Sequence, residues 1–177
     1  MPLDERWTDV DKLLQPAPKS TEELYQRAVQ DIAQARFEFP TLELASYRTF
    51  VNVPEPTLPV TDESGGELTP DIVVVDTPGN ILKILATVET GETVTEERAE
   101  EKWRPFAQLP DVAFYLFVPV GYGAIAKRIC KKLHIDIYGY RTWRYTPQGM
   151  EVNDISEPPG IIHALMPPFA RKLMRGT

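Results

Sequence analysis

Two carboxylates stand out by position. Asp71 follows Pro70 at the head of one apolar run and Glu89 closes the next, in the stretch PDIVVVDTPGNILKILATVET over residues 70–90. The turn residues TPGN separate the runs, so the stretch reads as two strands of a hairpin. Side chains alternate faces along a strand, which places Lys83, Leu85, Thr87 and Glu89 on one face of the second strand and Leu82, Ile84, Ala86 and Val88 on the other. Folding about TPGN sets Asp71 opposite a residue near Ala86, within one or two positions, and lets Asp71 and Glu89 converge at one end of the sheet. Two carboxylates, with water and a phosphate, are natural ligands of Mg²⁺ or Mn²⁺, which polarises a phosphoryl group and supplies a hydroxide. The chemistry such a pair serves is metal-assisted attack of water on a phosphoryl group.

Two carboxylates brought side by side need a cation or a basic group with them. Lys83 lies six residues from Glu89, about 20 Å along a strand at roughly 3.3 Å per residue, and cannot serve that site. Lys102 is better placed, on the following helix and four residues before Phe106. Each residue also has a plainer role. Asp71 suits a turn residue fixing the loop exit, Glu89 a solvated strand end, and Lys102 an exposed helix residue pairing with nearby glutamates. Glu22 and Glu23 offer a further acid on the first helix and serve equally as first-turn partners of its dipole. Asp76 belongs to the turn DTPGN.

A second patch, YGYRTWRY, interleaves Arg141 and Arg144 with Tyr138, Tyr140, Trp143 and Tyr145. Arg141, Arg144 and Trp143 are the candidates there for nucleic-acid contact, since guanidinium and aromatic groups together suit phosphate contact and stacking on unpaired bases. A strand with cross-strand aromatic pairs is the plainer reading. The net charge of -7 weighs against nonspecific grip on nucleic acid, but from Gly121 onward basic residues outnumber acidic ones. Cys130 is the only cysteine and sits beside Ile129 on the apolar side of a helical pattern, as a buried thiol does. With it and the two histidines, His134 and His163, neither an intrachain disulfide, a thiolate cluster nor an imidazole-rich zinc site can be built. Any metal here is therefore held by carboxylates.

The elements that must position these residues follow from the pattern of the chain. Its 177 residues fit one domain of the usual roughly 100–150 residues with additions at the ends. Residues 1–19 read as an N-terminal arm, residues 20–155 as a single α/β domain, and residues 156–177 as a proline-broken tail. Ser20 or Thr21 caps a first helix carrying Leu24, Ala28, Ile32 and Ala35 at helical spacing, ended by Pro40. A strand over roughly residues 47–53 and a Pro- and Gly-rich loop precede the hairpin. A second helix follows it, with Thr93 and Glu96 as a capping box, Ala99, Trp103, Phe106 and Ala107 inward, and a kink at Pro105. DVAFYLFVPV is apolar enough for a central strand covered on both faces. A third helix, with Ile125, Ile129 and Leu133 inward, and two final strands joined through PQG complete a mixed β-sheet flanked by helices. The N-terminus lacks an apolar leader core, and no apolar run approaches the roughly 18 residues that span a bilayer, so a soluble cytoplasmic protein is expected.

The αβββαβ order, with PD opening the second strand and an acidic motif closing the third, resembles the PD-(D/E)XK superfamily of restriction-endonuclease-like phosphodiesterases over about residues 20–133. The resemblance implies that Asp71 and Glu89 hold Mg²⁺ or Mn²⁺ and that the third strand carries an acid-X-lysine motif. The match there is degenerate. If Glu89 is the acid, the lysine position falls on Gly91; if the motif ends at Glu89, it reads Thr87-Val88-Glu89, similar to the Glu-X-Glu variant with its first acid lost. Lys102 stands where the resemblance implies a lysine moved onto the next helix. Two functions stay open: a metal-dependent nuclease with a degenerate site built on Asp71, Glu89 and Lys102, or an inactive interaction module of the same fold. The second would bind a protein partner, or a second copy as a homodimer through the C-terminal tail. An unrelated α/β domain with a chance PD is the third alternative.

Overall fold

The computed structural model describes residues 17–155; most of the expected arm, the whole expected tail and His163 lie outside them. Helix α1 (Thr21–Arg36) starts where Ser20 Oγ accepts the N–H of Glu23 at 3.1 Å, relieving one of the free donors of the first turn. It buries Ala28, Val29, Ile32 and Ala33. Ala35, expected inward, is exposed, because the buried stripe follows residues one apart as well as four apart.

Six strands form one sheet in the order β1 (Tyr47–Val51), β4 (Ile72–Asp76), β5 (Ile81–Val88), β6 (Ala113–Pro119), β7 (Gly139–Thr146) and β8 (Gly149–Asp154). The β5–β6 and β6–β7 pairs are parallel and the rest antiparallel, so the sheet is mixed, as expected. Inside the long loop after β1, β2 (Val60–Thr61) and β3 (Glu67–Leu68) form a small separate hairpin that the polar composition there had hidden. β6 is buried at every residue but Pro119, which matches a strand covered on both faces. One cover is α1, packed on Ile72, Val74, Ala86 and Phe117; the other is built from the helical segment after β5 and from the helix Gly123–Leu133, packed on Val73, Leu85, Phe114 and Leu116.

At the turn end the hairpin holds its expected register, with Asp76 opposite Ile81 and Val75 opposite Leu82. Toward the site it shifts by one residue, so that Ile72 pairs with Ala86 and Asp71 lies one position away, within the expected range, its N–H donating to Ala86 O at 3.0 Å. Val74 pairs with Ile84 but Val75 with Leu82, so Lys83 is an extra residue in a β-bulge and Leu82 joins the cluster of Leu85 instead of that of Ile84.

The helical segment after β5 consists of α2 (Glu96–Arg98), a π-helical turn (Ala99–Trp103) and α3 (Arg104–Ala107), running on without a break. Its cap is Thr95, whose Oγ1 accepts the N–H of Arg98 at 3.2 Å. Thr93, expected in that role, instead takes the N–H of Thr90 at 2.9 Å in the preceding turn. Pro105 falls just after the π turn, at the head of α3, where a missing N–H is tolerated. In α4 (Gly123–Leu133) the buried residues are Gly123, Ala126, Ile129 and Cys130, while Ile125, expected inward, is exposed. No helix among the described residues is long and apolar enough to cross a membrane.

Candidate functional site

Asp71 stands between Pro70 and β4, and its carboxylate faces the layer that carries the π turn. Because β4 begins only at Ile72, the N–H of Val88 has no strand partner on that side, and Asp71 Oδ2 accepts it at 2.7 Å. The Thr87 hydroxyl reaches the same oxygen at 2.9 Å. Oδ1 accepts the Tyr25 hydroxyl at 2.6 Å, from α1, and the Lys102 ammonium at 3.1 Å. A carboxylate offers about four lone-pair positions. All of them are taken.

Glu89 follows β5 and is fully buried. Its Oε1 accepts the Trp103 indole N–H at 2.8 Å and lies 3.3 Å from Thr87 Oγ1; Arg98 Nε reaches both carboxylate oxygens, at 3.3 and 3.2 Å. Its backbone is tied too, the N–H to Phe117 O at 2.8 Å and the carbonyl to the Trp143 indole at 3.1 Å. Thr87 thus stands between the two carboxylates, within hydrogen-bond reach of both.

Like charges brought this close out of water need compensation. Lys102, itself 9% exposed, and Arg98 supply it, giving two carboxylates and two cations. Of the residues singled out in the sequence, Asp71, Thr87, Glu89 and Lys102 come together here, and the solvated or surface roles open to Glu89 and Lys102 are not the ones they occupy. Glu22 and Glu23 stay exposed on α1, where Glu22 accepts from Gln26 and Glu23 from the Lys19 N–H. Tyr25 is the residue that α1 contributes. Burial first, and then the charge of Asp71, raises its hydroxyl far above the ordinary phenol range, so it remains a donor.

Tyr25, Arg98 and Trp103 were not legible as site residues. Arg98 and Trp103 are five apart, which an α-helix turns to different sides. The π turn, in which the N–H of Arg104 bonds to Ala99 O, brings residues five apart onto one side, and both reach Glu89.

The second patch does not form one surface. Arg141 is buried, ion-paired with Asp154 and stacked over the Tyr115 ring at 5.2 Å, and burial lowers its pKa against the opposing pull of Asp154. Trp143 is buried beneath α1 and spends its indole N–H on Glu89. Only Arg144 is exposed, paired with Glu151. Alternation along β7 separates Arg144 from the other two, so neither Arg141 nor Trp143 offers a face to a base.

Carboxylate oxygens suit Mg²⁺ or Mn²⁺ in kind. Among the described residues, no group of three or more His, Cys, Asp and Glu gathers to hold a metal ion. A divalent ion at Asp71 and Glu89 therefore has two protein carboxylates to use, and competes with Lys102, Tyr25 and Arg98 for them.

No protein-family model matches the chain, and neither the curated proteins nor the solved structures contain a significant match to it.

Proposed function

We propose that the chain is a divergent PD-(D/E)XK-like domain whose buried cluster is a degenerate site directed at nucleic-acid phosphodiesters. Asp71 and Glu89 are the ligands for Mg²⁺ or Mn²⁺, and Lys102 is the cation beside them. The observation that carries this reading is the position of Lys102. A helix residue with glutamates all around it is instead turned inward, buried, and set 3.1 Å from the carboxylate that follows Pro70. A buried ion pair is weak support for stability, and a cluster of them at one end of a sheet points to function.

A bound divalent ion supplies polarisation of the phosphoryl group and a water acidic enough to attack it. The protein's own part is positional. Tyr25 and the Val88 N–H hold Asp71, Trp103 and Arg98 hold Glu89, Thr87 spaces the two, and Lys102 keeps positive charge beside Asp71.

A second reading has its own observation. Every acceptor position of Asp71 is filled by a protein donor, and the cluster is neutral as it stands, so the domain is complete without an ion. In that reading it is an inactive module of the same fold that binds a protein partner or a second copy of itself.

Calorimetric titration with Mn²⁺ and Mg²⁺ separates the two. Binding by the wild type that is lost in folded Asp71→Ala and Glu89→Ala variants is the expected result. No binding by the wild type at millimolar metal would transfer the assignment to the interaction module.

A further inference from the structure

Arg98 is the cation of the cluster that reaches outward. Its side chain is 34% exposed while that of its partner, Glu89, is at 0%. The contact uses Nε alone, so the two outer guanidinium nitrogens have no partner among the described residues. Glu89 is in turn immobilised by Trp103 and its own backbone bonds. A rigid, buried carboxylate thus aims a guanidinium whose free edge faces solvent, and a guanidinium edge matches a phosphate group with two parallel hydrogen bonds. Lys102, four residues on, is paired with Asp71 and lies over the Phe106 ring, which leaves Arg98 as the cation turned toward solvent.

The location agrees with a ligand site. Glu89 and the loop after it lie at the C-terminal ends of β5 and β6, which run parallel, and in open α/β sheets ligands bind outside the carboxyl ends of such strands. Of the acids on the same helical segment, Glu96 is paired with Lys132 and Glu100 with Arg104. Glu97 and Glu101 remain exposed, which keeps the affinity for a polyanion low and makes low salt the place to look.

We propose that Arg98, oriented by Glu89, is the phosphate-binding residue of this site, taking a backbone phosphate of nucleic acid through its two outer nitrogens without need of a metal. This rests on the phosphodiester reading above and assigns Glu89 a second task, as the positioning residue for Arg98. The test is fluorescence anisotropy of a labelled single-stranded oligodeoxynucleotide with the full chain, in EDTA, over a salt series. Arg98→Gln is expected to weaken binding about tenfold and to lower the salt slope by about one phosphate contact. Arg98→Lys should keep the salt slope and recover part of the affinity, since it restores the charge without the fork. Glu89→Gln, which keeps an acceptor for Trp103 but frees Arg98, should lose affinity with the salt slope retained. Wild-type binding that Arg98→Gln leaves unchanged at every salt concentration would overturn the assignment of Arg98 and leave the metal reading intact. No wild-type binding even at low salt would overturn both this assignment and nucleic acid as the ligand.

Discussion

Replacing Lys102 by Met tests whether the cluster is held by its charges. The ammonium lies 3.1 Å from Asp71 Oδ1, with side-chain exposures of 10% and 3%. Removing one partner from a buried pair costs about 3–5 kcal/mol, chiefly because the other charge is left uncompensated. Methionine replaces most of the lysine stem, so no large cavity forms, and Asp71 keeps three donors in Tyr25, Thr87 and the Val88 N–H. The loss should therefore fall near the low end, about 3 kcal/mol. Asp71→Ala is the harsher change. It strands those three donors and leaves Lys102 as a buried cation, for a loss of about 5 kcal/mol. Urea unfolding with a check that the slope is unchanged measures both. The same Lys102→Met protein should bind Mn²⁺ about tenfold more tightly than wild type, a gain of about 1.4 kcal/mol, because one position on Asp71 has been released. A loss below about 1 kcal/mol for Lys102→Met would place the pair among surface ion pairs and refute the burial argument. A larger loss for Lys102→Met than for Asp71→Ala would refute the argument that the three stranded donors add to the cost.

Thr87→Asp adds a third carboxylate between two that are already buried, so in EDTA the melting temperature should fall, and millimolar Mn²⁺ should restore it; a melting curve indifferent to Mn²⁺ would count against the ligand role of Asp71 and Glu89. At alkaline pH the tyrosines act in one direction. Tyr25 has a raised folded-state pKa, through burial and then Asp71, against an ordinary value of 10.0. Its contribution is fully present below pH 10.0 and is lost as pH rises, because the unfolded chain releases the proton first. Tyr145 behaves alike, through burial and then Asp31. Tyr25→Phe should flatten the fall of stability with pH above that point by up to one proton, measured by urea unfolding across pH 9 to about 11; an unchanged slope would contradict the buried donor role of Tyr25.

Much of this architecture is written in local pattern. The β4–β5 hairpin follows from two apolar runs around TPGN, α1 from Ser20 with Glu22 and Glu23 behind it, and the covered central strand from the unbroken apolarity of residues 113–118. Each depends on residues near in sequence, where alternation, helical period and capping act. Asp71 and Glu89 were legible for the same reason, as acids at the outer ends of two strands that a local turn joins.

What surrounds those acids was decided by the tertiary structure. Tyr25 is 46 residues from Asp71, and the helical wheel that placed Trp103 inward gave no reason to join it to Arg98. The π turn aligns them, and that single change of hydrogen-bond register carries no compositional mark beyond Pro105 downstream. Trp143 shows the converse. An aromatic among arginines looks like a surface for bases, but strand alternation and the approach of α1 bury it against the backbone of Glu89. The sequence alone determined the six strands of the main sheet, the helical segments that flank it and where two carboxylates end two of those strands. The packing of both helical layers onto the sheet decided that those carboxylates meet a lysine, an arginine and a tyrosine, because the hydrogen bonds of a buried charge are satisfied only by groups that three-dimensional contact brings within reach.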